Sequence, residues 1–202
     1  MALNFANNNS LSAITTKPSG LSGGSMNLIS TQTASSSSTI SFTSGIDSTY
    51  DEYVFKFINI HPATNDVTFQ VNFRDGGTDY DAVKTTTNFF AAHYENDSGT
   101  GFAYRTGNDV AQGTGVAQLA PASIGNGNDE SVSGSMTLFN PSSTTFVKHF
   151  ISDGNSANNT YSQRELVAGY FNTTSAIDAV QFKMASGDID AGTIKLYGIK
   201  DS

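Results

Sequence analysis

The strongest constraint on this chain is a two-residue rhythm. Val67, Phe69, Val71 and Phe73 alternate with Thr68, Gln70 and Asn72. Successive side chains leave a pleated strand on opposite sides, so this alternation builds one buried and one solvated sheet face. The rhythm recurs along the chain. Met26 and Leu28 flank Asn27, and Ile40 and Phe42 flank Ser41. Val132, Gly134, Met136 and Leu138 share a face, as do Val180, Phe182 and Met184. Tyr53–Ile60 is apolar on both faces, as a central strand is, and Pro62 ends it because proline cannot donate to a ladder. Phe90, Ala92 and Tyr94 mark another strand within 86–95; 116–119, 146–151 and 166–172 read as shorter ones. Residues 176–200 form the closing strand pair, with Ile194 and Leu196 opposite Lys195 and Tyr197. Their connection, bracketed by Gly187 and Gly192, is too long for a two-residue hairpin.

Segments rich in Gly, Asn, Asp and Ser are expected as loops: 74–81, 96–115 with Phe102 and Tyr104 in its middle, 124–130 and 153–162. About nine to eleven strands without helical periodicity give an all-β fold. Two packed antiparallel sheets, a jelly-roll-like β-sandwich over residues 25–202, are the natural solution. Residues 1–24 are polar and form an extended N-terminal arm, with Leu11 and Ile14 available to pin it to an assembly partner.

At 202 residues, with fourteen Phe and eight Tyr, the chain can build one domain with a real core. Only 14% of residues are charged, against about 25% typically, so solubility rests on Ser, Thr, Asn and Gly. The net charge of -8 repels a phosphate backbone, which argues against nucleic acid as a partner. The absence of cysteine excludes disulfides and thiolate metal sites. The start lacks the basic and apolar regions of a signal peptide, and no apolar run is long enough to insert in a membrane.

Candidate sites are few. Asp75, Asp79 and Asp81 sit on a glycine turn and could gather calcium, although their spacing is not that of the calcium helix-loop-helix pattern and an ordinary acidic turn is favoured. Tyr80, Phe102, Tyr104 and Tyr161 are loop aromatics that could stack on a sugar; packing under their own loops is the simpler expectation. His61, His93 and His149 are isolated, and His149 reads as a packed strand residue. Residues 20–24 match the letters of a nucleophile elbow without the strand before it or the helix after it. The sequons at Asn8, Asn96, Asn158 and Asn172 are what chance gives in such a composition. No catalytic arrangement emerges, no cofactor is expected, and the chain reads as non-enzymatic.

Three stretches carry a resemblance. Thr39–Asp47 leads into Asn59–Thr64; Leu138–Phe150 contains Phe139-Asn140-Pro141; and Gly169–Met184 is followed by Gly192–Lys200. Together they resemble virion structural proteins, tail-fibre-like or capsid-associated, of tailed phages of marine bacteria. The resemblance runs from about residue 25 to the C-terminus and implies a virion location, other virion proteins as partners and a homo-oligomer, with a trimer the expected symmetry. Release by lysis would dispense with an export signal. It implies display on the particle surface, as a tail or fibre component or a capsid decoration, with residues 1–24 as anchor and the loops touching host glycans. A stand-alone carbohydrate-binding module is the alternative. A depolymerase ranks third, since it needs two carboxylates converging on a groove.

Overall fold

The computed structural model describes residues 25–158 and 160–199, with the side chains of 121 and 122 excepted. The expected arm with Leu11 and Ile14, and the elbow-like motif at 20–24, lie outside the described residues.

Alternating apolar residues give twelve strands in two antiparallel sheets. The small sheet holds β2 (Ile40–Phe42), β11 (Ala179–Met184), β4 (Val67–Arg74) and β7 (Ala117–Ile124), in that order. The large sheet begins with β1 (Met26–Thr33), β12 (Ile189–Ile199), β3 (Glu52–Pro62) and β8 (Ser131–Phe139). It continues through β9 (His149–Asn158), β10 (Tyr161–Phe171), β5 (Lys84–Tyr94) and β6 (Thr100–Tyr104).

The pairs β1/β2, β3/β4, β7/β8 and β11/β12 each place one strand in either sheet. β12 lies between β1 and β3, and β11 between β2 and β4. This is jelly-roll connectivity. Two hairpins are inserted into it. β5–β6 follows β4, β9–β10 follows β8, and both join the same edge of the large sheet beyond β8.

The closing arms are therefore not partners. β11 and β12 belong to opposite sheets because each has one apolar face, and those faces meet across the sandwich. Phe182 of β11 reaches Phe55 and Phe57 of β3 with ring centroids 5.4 and 5.3 Å apart. Phe42 and Phe69 complete the cluster around it. Gly192 lies within β12 at the register shift between Ala191 and Thr193, with φ +117°, where a Cβ would lie 2.6 Å from the Asn59 carbonyl oxygen. A second aromatic group, Phe73, Phe150 and Phe171, joins the small sheet to the inserted hairpin.

Two lysines are fully buried near this junction. Lys84 donates to Asn72 Oδ1 at 2.6 Å and to the Ala82 carbonyl at 3.1 Å. Lys148 donates to the carbonyls of Thr173 and Ser175. Carbonyl and amide acceptors satisfy the ammonium protons, as buried cations require.

Candidate functional site

The inserted half of the large sheet differs from a usual sandwich leaf. Its inner face carries Thr86 and Asn88 of β5, Gln163 and Glu165 of β10, and Ser152 and Ser156 of β9, all buried. The small sheet ends at β7, so these side chains meet β7 and the segment after β6, with its 3₁₀ turn Thr106–Asn108, instead of a full apolar leaf. Asn88 donates to the Gln118 carbonyl at 3.3 Å, and Thr86 Oγ1 accepts from the Val110 amide at 2.8 Å. The free edge of β5 is covered by β6 along 89–93 and by residues 110–113 at its start.

Where this cover stops, at the outer end of the sheet, a pocket of about 240 Å³ opens. Phe90, Tyr94, Arg105, Tyr161 and Gln163 line it, with Thr100 at its rim. Tyr161 lies opposite Tyr94 in the β10–β5 register, and their rings sit 5.5 Å apart. The Arg105 guanidinium lies 4.0 Å from the Phe90 ring centroid and donates through Nη2 to Gln163 Oε1 at 3.2 Å. Gln163 passes the contact on to Glu165 Oε1. Burial pushes the Tyr161 phenol up, partly offset by the nearby Arg105 charge.

The four aromatic candidates fall in three places. Tyr161 lines this pocket. Phe102 and Tyr104 lie on the opposite, outer face of the same sheet, 77% and 52% exposed. They belong to strand β6, not to a loop: paired with Phe89 and Ala91, they continue the outer face of β5. Tyr104 donates to Asp109, whose carboxylate also pushes the phenol up. Tyr80 lines a separate cleft of about 300 Å³ with Asn72, Asp79, Gln181 and Lys183.

Residues 153–162, expected as a loop, instead form the β9–β10 hairpin. Their inward residues are small or polar, so apolar alternation gave no sign of the strands. His149, expected to be packed, is exposed on the outer face beside the Tyr170 ring, because the inward residues of β9 begin at Phe150. Tyr94 and Arg105 were not singled out by the sequence. The shared face of Phe90, Ala92 and Tyr94 held a signal for the first; nothing local marks Arg105.

The aspartates of 74–81 stand near a buried cation. Burial pulls the Lys84 ammonium down to about 8, and the charges of Asp81 and Asp75 oppose that shift. Asp79 accepts from Thr78. Among the described residues, no group of three or more His, Asp or Glu side chains is placed to hold a metal ion. His61 lies 3.7 Å from Asp190 and 3.1 Å from the Gly127 carbonyl, in a cleft of about 470 Å³ that also includes Asp129 and Glu130.

The outer face of the large sheet is a third feature. Among the described residues it carries seven of the ten exposed large hydrophobics: Met26, Leu28, Ile58, Phe89, Phe102, Tyr104 and Ile151. One cross-strand row runs Thr87, Ala168, Ile151, Thr137, Val54, Tyr197, Leu28 across seven strands.

Compared with family models, curated proteins and solved structures, the chain has no significant match to any of them. Its fold and surfaces carry the functional argument.

Proposed function

We propose that this chain is a non-enzymatic structural protein of a phage virion, displayed on the particle surface as a tail or fibre component or a capsid decoration. The observation that carries the structural role is the outer face of the eight-stranded sheet, which exposes seven large hydrophobics among polar side chains. Large hydrophobics exposed across one sheet face are a mark of protein–protein contact. Eight strands at ~4.8 Å spacing and about ten residues of length present on the order of 1,000 Å². A standard interface needs roughly 800 Å² per partner.

The face is also nearly neutral. Lys56, Arg164 and Lys195 stand against Glu52 and Asp153, while the whole chain carries -8. Copies of an acidic chain meet with least repulsion on such a face, which favours a homo-oligomer, a trimer in this reading. The virion assignment rests on the sequence resemblance, and residues 1–24 are the proposed anchor to other virion proteins. Gold-tagged antibody against the chain, imaged on purified phage particles, tests it. Gold on the head or tail is expected; particles free of gold would refute the virion assignment.

A second reading, a stand-alone carbohydrate-binding module, is favoured by the aromatic pocket between Tyr94, Tyr161 and Arg105. Within the first reading the same pocket serves contact with host glycans.

A further inference from the structure

We infer that the pocket at the open end of the inner face binds one ring of a neutral saccharide. The inference gives the glycan contact proposed above a site and a ligand class, and rests on that part of the proposal. The pocket's size comes first. About 240 Å³ lies under the ~300–1,000 Å³ of sites for drug-sized ligands and suits a single ring.

Its lining is amphipathic. Phe90, Tyr94 and Tyr161 supply apolar ring surface, and the two tyrosines end in hydroxyls. A pyranose needs the same combination, with C–H groups on its faces and hydroxyls around its rim. Tyr94 and Tyr161 are held by the sheet register, so the platform exists before a ligand arrives.

The polar side is built as well. Gln163 is only 2% exposed, with its carbonyl fixed by Arg105 and its amide directed to Glu165. This leaves Arg105 a fixed guanidinium over Phe90, and Gln163 is its one side-chain hydrogen-bond partner among the described residues. Arg105 Nε is buried, so the outer guanidinium nitrogens, with Thr100 and the two tyrosines that line the pocket, are the groups that sugar hydroxyls would meet.

The charge decides the class. The Glu165 carboxyl stands behind Gln163 and within electrostatic reach of Tyr161, as does Arg105. Arg105 and Glu165 both bond Gln163 and act on Tyr161 with opposite sign, inside a chain of net charge -8. An anionic sugar gains little there, and a neutral one loses nothing. The outer-face aromatics take no part, because Phe102 and Tyr104 point away from this pocket.

The test is an amide and arginine-side-chain NMR titration of the full chain with glucose, galactose and mannose, alongside glucuronate and sialic acid. At least one neutral hexose is expected to shift Gly101, Tyr161 and the Arg105 Nε–H signal with a millimolar Kd, the range open to a ligand of about a dozen heavy atoms. Tyr161→Ala and Arg105→Gln should each weaken binding about tenfold or more, Tyr161→Phe should keep most of it, and Phe102→Ala should leave it unchanged. The spectra themselves report whether each variant is folded. Three results would overturn the inference: no pocket shifts with any neutral hexose at ~50 mM, equal shifts in folded Tyr161→Ala, or a clear preference for the anionic sugars. Gold labelling of particles is independent of this titration. A particle-borne chain that binds no sugar would end this inference alone, and a sugar-binding chain missing from particles would end the virion assignment alone.

Discussion

Both halves of the large sheet bury an inner face, but the inserted half adds a block of polar side chains to its apolar Phe150, Val167 and Phe171. In the jelly-roll half, β3 turns Tyr53, Phe55, Phe57 and Ile60 inward, none more than 3% exposed. In the inserted half, β5 turns Lys84, Thr86 and Asn88 inward, and β10 turns Gln163 and Glu165, none more than 5% exposed. The difference lies in what covers each face. Opposite β3 stands the small sheet with Phe42, Phe69 and Phe182, which offers no hydrogen bonds and rewards apolar area. Opposite β5 and β10 stand β7 and an irregular segment, whose carbonyls and amides pair with polar side chains. Burial does not fix side-chain chemistry; the covering layer does. Both halves expose large hydrophobics on the outer face, Met26, Leu28 and Ile58 on the jelly-roll half and Phe89, Phe102, Tyr104 and Ile151 on the inserted half.

This contrast predicts unequal costs of truncation. Phe182→Ala removes the ring at the centre of the aromatic cluster and should cost about 3–5 kcal/mol by denaturant unfolding. Ser156→Ala on the inserted half removes a buried hydroxyl whose oxygen has no hydrogen-bond partner among the described residues. It should change stability by less than about 1 kcal/mol. A comparable loss at both positions would mean the two halves share one kind of core.

Lys84 gives the contrast a pH signature. Its folded-state value of about 8 lies below the ordinary 10.5, so the unfolded chain holds that proton more tightly. Between these values the unfolded state binds more protons, and stability rises with pH, by up to about 3 kcal/mol over the full interval. Unfolding measured from pH 7.5 to about 9.5, below the tyrosine range, should show this rise. Lys84→Met should reduce it, leaving the share of Lys148, whose ammonium is also pulled down by burial.

On the outer face the effects should fall on assembly and hardly on folding. Ile151→Lys places a charge on a half-exposed strand position and should alter stability by no more than ~0.5 kcal/mol. Smallest of all is the exposed pair of Arg164 with Asp153, Nη2 to Oδ2 2.6 Å, which holds the Asp153 carboxyl below its usual range. Arg164→Ala should lower the thermal midpoint only marginally, and added salt should shrink the difference.

The jelly-roll half was legible in the sequence. Val67, Phe69, Val71 and Phe73 are all buried as their alternation requires, and the sandwich follows from that rhythm. The pairing of the closing arms was not, since alternation states which face is buried and leaves open which sheet the strand joins. The β9–β10 hairpin was hidden because Ser152, Gly154 and Ser156 face inward without apolar contrast. Of the candidate site, Tyr161 was legible as an aromatic. Its partners were not: Tyr94 and Arg105 meet it only through the β10–β5 register and the chain's return after β6.

The division of labour between the two faces of the inserted half has one most direct measurement. Sedimentation equilibrium of the full chain and of Ile151→Lys, at ~10 μM, reads the mass of each. A trimer for the natural sequence and a monomer for the variant are predicted. A monomer in both cases, or an unchanged trimer in the variant, would contradict the assignment of the outer face to assembly.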